Sequence, residues 1–503
     1  MTNHPTGQRV TRRRVVQGVG ACAAAAAASP VLAQSTRTAL QNGAQEQAAD
    51  PRMALLNRAS FGYTAADMAE VDSRGLEGWV NWQLEPATIA DASLDARLAG
   101  FDWLGTSAQA MFEHPTLYPW EISHEARAVR LLRATFSKRQ LFERIVEFWT
   151  DHFNIYAGAD DVSVHKVVDD ANVIRTHALG TFRDLLHASA KSPAMLAYLD
   201  NDTNVVGAPQ ENYAREVMEL HTLGVDGPYT ETDVRELARC FTGWTYVKPW
   251  QSSQYGHFIF RPGNHDSGAK TVLGIPIPAG GGQDEVETIL DFLANHPSTI
   301  EFVTGKLGRW LLGYAPPETV LAEARAAWTS TGGDIKAIVR VLLAPASLHA
   351  AAPWANPKLK RPMHWIVSLY RAAGIDLPRP KDTIWMIWSM GQVPFEWAPP
   401  TGYPDVEAAW ASTLLPRWSQ SALLGNGWYW STDHTNDDMR ALLAGAPKSE
   451  WAQQVNRVLT GGAMSPRDVR LVQEHVDSFQ SPTNQAVAEA FELSASSPSF
   501  LRY

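Results

Sequence analysis

Three stretches of this 503-residue chain hold the histidines and carboxylates that could do acid–base or metal chemistry. The first is 139–153, which separates cleanly when laid out at 100° per residue. Arg139, Gln140, Glu143, Arg144, Glu147, Thr150 and Asp151 fill one polar arc, and Leu141, Phe142, Ile145, Val146, Phe148, Trp149 and Phe153 fill the other. His152 falls on the apolar arc, facing the expected core. An unpaired buried imidazole is costly, so His152 needs a partner. Two readings follow: a core histidine bonded to a backbone carbonyl, or an acid–base group or metal ligand.

The second stretch, 211–221, behaves similarly. Glu211, Asn212, Arg215, Glu216 and Glu219 share one arc, while His221 lies with the apolar residues. Glu211, Arg215 and Glu219 stand four residues apart, as in a surface salt-bridge ladder. The functional reading turns the carboxylates into a polar cleft as acid–base groups, with Arg215 orienting an anionic substrate group and Asn212 contacting substrate. Spacing alone does not choose between the two. The third stretch, 243–282, brings Trp244, Asp266 and His265 as candidates for substrate and metal contact.

His152, His221 and His265 are the candidate metal ligands, for a divalent or transition metal whose identity the sequence leaves open. The chain has no His-Glu-x-x-His, no Glu-x-x-His pair of the di-iron bundle type and no cysteine cluster. It also lacks Gly-x-Ser-x-Gly, a phosphate-binding Walker loop and a dinucleotide fingerprint, which argues against a serine nucleophile and a bound nucleotide.

The elements that must position these residues are helices. Apolar residues recur at three- and four-residue spacing over 121–153, 161–190, 209–222, 230–242, 284–311, 317–343, 356–373, 404–423, 447–459, 466–478 and 482–496. The pattern predicts a mainly α fold, a large multi-helix body over 51–503. One segment, 243–282, breaks it with Gly, Pro and aromatics. Its runs 257–260 and 270–273 read as short strands, so a β-hairpin and loop insertion is expected there as a candidate site wall. Trp is abundant, 19 in all, and seven lie between Trp385 and Trp430. Helical spacing favours indoles filling helix–helix cores over platforms for sugar rings.

Residues 1–33 read as a targeting signal and 34–50 as a flexible leader. Arg9, Arg12, Arg13 and Arg14 are the only charged residues of the first 33, and the apolar run 15–28 leads to a small-residue cleavage site at Val31-Leu32-Ala33. Thr11-Arg12-Arg13 matches a twin-arginine signature, which implies a periplasmic or secreted protein. An ordinary secretory signal and lipidation at Cys22 are the alternatives. Without those residues the chain carries 39 Lys+Arg against 53 Asp+Glu, a net charge of −14. That balance argues against nucleic acid and anionic membrane as partners. No later segment is apolar enough to span a membrane. Cys240 then stands alone, with no intrachain disulfide open to it, as a small buried hydrophobe.

Several stretches are similar to one family. They are Leu55-Leu56-Asn57-Arg58-Ala59-Ser60-Phe61-Gly62, Phe148-Trp149-Thr150-Asp151-His152-Phe153 and Pro193-Ala194-Met195-Leu196-Ala197-Tyr198-Leu199-Asp200. The longest runs from Glu211 to Gly224 and continues through Tyr229-Thr230-Glu231, Asp233-Val234 and Phe241-Thr242-Gly243-Trp244. His265-Asp266, Lys270, Leu273-Gly274 and Gly402-Tyr403-Pro404 complete it. Over nearly the whole mature chain these resemble the bacterial family called domain of unknown function 1800. The resemblance implies an exported helical protein, often encoded beside an exported protein of sulfatase-like fold, and implies no established activity. Members often carry His-Asn-His-Phe where this chain has Thr150-Asp151-His152-Phe153, and Asn where Gln210 stands, which places the weight on His152.

These readings lead to an exported enzyme with a cleft lined by Glu211, Glu216, Glu219, Arg215 and His152, hydrolysing a carbohydrate-like substrate. An iron- or copper-dependent oxidoreductase and a non-enzymatic scaffold for an exported partner or polymer are the alternatives.

Overall fold

The computed structural model describes residues 50–158, 162–249, 254–352, 357–425 and 436–503. The signal, nearly all of the leader, Cys22, Trp428 and Trp430 lie outside the described residues. The architecture is mainly α, with helices from Pro51–Ala59 to Pro498–Leu501 and two antiparallel two-stranded sheets within 244–277. No described helix is long and apolar enough to cross a membrane.

Local chemistry sets the helix ends. Thr64, Thr181, Thr230, Asp334 and Thr483 each accept a backbone N–H at a helix start. Pro119, Pro297 and Pro362 open helices where their missing N–H costs nothing. Gly332, Gly374 and Gly461 close helices in the left-handed conformation.

Two clusters of buried apolar side chains result. One gathers residues from Leu55 to Leu348 with Phe395. The other gathers residues from Leu359 to Leu501 with Phe61, Leu94, Leu131, Leu132 and Ala134. Helix Pro119–Phe136 belongs to both, because Ile122, Ala126 and Val129 enter the first cluster and Leu131, Leu132 and Ala134 the second.

Two long periodic stretches divide. The 121–153 pattern breaks at Ser137, whose hydroxyl donates to Asp91 at 2.6 Å, and resumes as Gln140–His152. The 356–373 pattern becomes helical only from Pro362. Ahead of it Arg361 is extended, with ψ 157, as the residue before a proline prefers, and Leu359 forms a β-bridge with Arg502.

The insertion contains two hairpins. β1 (Trp244–Tyr246) pairs with β2 (Phe258–Phe260), and β3 (Lys270–Val272) pairs with β4 (Ile275–Ile277). The two strand runs legible in the sequence therefore sit in different sheets, each paired with another strand. Leu273 and Gly274 both have positive φ, as a two-residue hairpin turn of the type that matches strand twist requires.

Candidate functional site

Helix Gln140–His152 is buried on both faces. Its apolar arc enters the first core, and Gln140, Glu143, Arg144, Glu147 and Thr150 of the polar arc are buried as well. The polar arc meets other charged side chains and not solvent. Glu143 takes both Nη groups of Arg175, at 2.9 and 2.5 Å, with Arg130 at 3.5 Å. Glu147 accepts from Arg144 at 2.9 Å, and Asp151 accepts from Arg361 at 2.7 Å.

His152 closes the helix in a packed aromatic setting, with Phe148, Trp149, Phe153 and Phe182 around its ring. Its Nε2 lies 3.1 Å from the His221 carbonyl oxygen and its Nδ1 3.0 Å from Lys306 Nζ. Lys306 can only donate, so Nδ1 accepts, and Nε2 carries the proton given to the carbonyl. Burial holds His152 neutral, well below the usual imidazole range, and Lys306 reinforces this. Burial also lowers the Lys306 amine to about 8 and raises the Asp151 carboxyl to about 6, with Arg361 opposing the latter.

The second helix runs as Glu211–Glu216 and then widens into a π-helical turn, Val217–Thr222. Such turns are frequent at functional sites. This one carries His221, buried, its ring centre 6.3 Å from that of His152. Neither His221 ring nitrogen has a hydrogen-bond partner among the described residues. Burial lowers its pKa to about 3.

The carboxylates of this helix point two ways. Arg215 pairs outward with Glu231 at 2.6 Å, Glu211 at 3.4 Å and Glu219 at 3.6 Å. Glu216 is buried and acts on Tyr198, whose phenol burial and then Glu216 push upward. Asn212 donates to the Leu199 carbonyl at 3.3 Å. Segment 397–402 crosses this region. Tyr198 donates to Ala398 O at 2.6 Å and Asn154 to Trp397 O and Pro399 O at 2.9 and 2.8 Å. Gly402, at φ +70, packs on the Asp151 backbone, where a Cβ would overlap the carbonyl oxygen. His152, His221 and Glu216 thus fall in one neighbourhood, joined by Asp151, Lys306, Asn154 and Tyr198, which sequence reasoning did not single out.

His265, Asp266 and Trp244 belong to a separate network at the hairpins. His265 Nδ1 lies 2.8 Å from the Thr242 carbonyl, and its Nε2 3.3 Å from Glu285, which also takes Lys270 at 2.7 Å. Asp266 is paired to Arg239 at 2.7 Å, which holds its carboxyl down at about 2. Trp244 is fully buried. Among the described residues no group of three or more His, Cys, Asp or Glu side chains is placed to hold a metal ion.

A further cluster was not anticipated. Arg58, Arg144, Lys358, Lys360, Arg361 and Arg417 are all buried between the two cores. The trace left in the sequence is Lys358-Leu359-Lys360-Arg361, a dense cationic run directly before an apolar helix, which helical periodicity absorbs without comment.

The model of the family described as "Protein of unknown function (DUF1800)" matches residues 54–502, and the chain belongs to that family. Comparison with curated proteins and with solved structures finds no match.

Proposed function

We propose that this member of the DUF1800 family is an exported acid–base enzyme that hydrolyses a carbohydrate-like substrate. The observation that carries the reading is the 3.0 Å contact of Lys306 Nζ with His152 Nδ1, next to Asp151 in the chain. An amine near 8 and a carboxyl near 6 exchange protons readily at neutral pH, as general acid–base catalysis requires. Lys306, protonated at neutral pH and held by His152, serves as the proton donor to a leaving oxygen. Asp151, ionised at neutral pH, serves as the base, and buried Glu216 is the nearby carboxylate that steadies developing positive charge. The exposed indoles of Trp385 and Trp388, rings 6.3 Å apart, give sugar rings a surface to lie on. Export rests on Arg12-Arg13 and the apolar run that follows.

The test is release of reducing ends from a panel of polysaccharides. His152→Gln and Lys306→Met should each abolish it while circular dichroism stays unchanged. Full activity in both variants would remove this pair from the reaction.

A second reading draws on the unpartnered ring of His221. A transition metal bound by His221 and His152 would satisfy both imidazoles and displace Lys306. Elemental analysis of the natively exported protein separates the two: about one metal ion per chain, lost in His221→Ala, favours the metal.

A further inference from the structure

Six buried cations meet three carboxylates between the two cores. Arg144 pairs with Glu147 at 2.9 Å, Lys358 with Asp405 at 2.7 Å and Arg361 with Asp151 at 2.7 Å. Each of those pairs is balanced. The other three cations have no carboxylate partner among the described residues. Arg417 donates to Lys360 O and Thr413, and Lys360 donates to Ser368 at 3.0 Å. Arg58 is fully buried, and all three of its side-chain nitrogens lack an acceptor among the described residues. Its guanidinium lies 4.6 Å from the ring centre of Tyr503.

A guanidinium cannot escape this cost by losing its proton. Burial lowers Arg58 only to about 10, so it remains charged at neutral pH. An aromatic face gives a buried cation part of what it needs, but not hydrogen-bond acceptors. Further unused donors lie nearby: Arg144 Nε, and Nε and Nη1 of Arg361. Arg144 and Arg361 both stack on Trp310, at 4.3 and 5.2 Å from its ring centre, with Lys358 at 5.7 Å. Arg144 also reaches the Tyr503 hydroxyl at 3.5 Å, which places it beside Arg58.

We infer that this cluster binds a tetrahedral oxyanion of the phosphate or sulfate class, centred on Arg58. Planar guanidinium forks match such oxygens two at a time, and a divalent anion offsets most of the excess charge. The ion is either free or a substituent of a larger molecule, since both present the same oxygens. The site does not depend on the reaction proposed above, and its test reads bound ion, not turnover.

The full chain is purified in Tris chloride, without phosphate or sulfate, then denatured, and the released ions are measured by ion chromatography. About one phosphate or sulfate per chain is expected, and none from Arg58→Leu. Mass spectrometry of the released fraction distinguishes an inorganic ion from a phosphate or sulfate ester. In parallel, inorganic phosphate and sulfate are titrated into the ion-free protein. A saturable rise in Tm of about 3 °C is expected at ~100-fold excess over Kd. Sodium chloride at equal ionic strength should give none, and Arg58→Leu should weaken the response at least tenfold. If that variant does not fold, the wild-type comparison of oxyanion with chloride decides alone. No released oxyanion together with no saturable shift, or an equal shift with chloride, overturns the inference.

Discussion

Lys306 Nζ stands 3.0 Å from His152 Nδ1, and that single contact assigns the proton of the buried imidazole to Nε2. It also lowers the chance that His152 charges at any ordinary pH, because a cation already occupies its free lone pair. The amine feels the same burial, which gives the first prediction.

Lys306 has its pKa lowered to about 8 from 10.5. Between those values the unfolded chain binds a proton that the native chain does not, so stability rises with pH across this window. The burial cost of the charged amine is fully present below pH 8. Urea unfolding of wild type from pH 7.5 to 10.5 should show a gain of about 2 kcal/mol from this group, reduced from the full shift because the side chain is half-buried. Lys306→Met should lose that slope; an unchanged slope would place the titration elsewhere.

Glu143 behaves in the opposite sense. Burial works to raise its carboxyl, but Arg175 and then Arg130 overcome this and hold it at about 2. Its stabilisation is complete above about pH 4.5 and disappears as pH falls through 2. Glu143→Gln leaves Arg130 and Arg175 buried without their counter-charge, at a cost of about 3–5 kcal/mol. Denaturant midpoints at pH 7 and pH 3 check both statements, since the gap between wild type and variant should narrow at the lower pH.

Gly402 touches the end of the same helix. Any side chain there would collide with the Asp151 carbonyl, and the backbone is left-handed at φ +70. Gly402→Ala is expected to destabilise by about 3 kcal/mol or more. It should also reduce turnover beyond what stability explains, by shifting Asp151. A variant with wild-type Tm and activity would show that the segment 397–402 yields easily.

Trp385 and Trp388 are 63 % and 65 % exposed, and neither supports the core. Replacing both with Ala should change stability by less than about 1 kcal/mol. Retardation of the protein in polysaccharide-containing native gels should be lost at the same time. Unaltered migration would assign these rings another role.

Much of the scaffold was legible because helical periodicity survives in a large core. The helix at Gln140–His152, the helix Glu231–Phe241 within the periodic stretch 230–242 and the isolation of Cys240 all follow from local pattern. So did the burial of most of the described indoles, including Trp79, Trp149 and Trp365, although Trp120, Trp385, Trp388 and Trp418 are exposed. Periodicity could not say that the polar arc of Gln140–His152 is also buried. A charged arc facing water and one facing other charges have the same spacing, and only the partner distinguishes them. Arg361 and Arg175 are such partners, and both are distant in sequence or on another helix. The cationic cluster was hidden for the same reason, since Arg58 and Tyr503 come from the two extremes of the described chain.

The bridge between Leu359 and Arg502 carries a consequence for synthesis. Lys358 and Lys360 hydrogen-bond through their backbones to Tyr503 and Leu501, so the strap bearing them has no pairing strand until residue 503 has left the ribosome. Helices of the first core can form earlier, while the cations wait in water. The buried charges are therefore enclosed only after residues 501–503 have emerged and paired with the strap, a step that follows the folding of the first core.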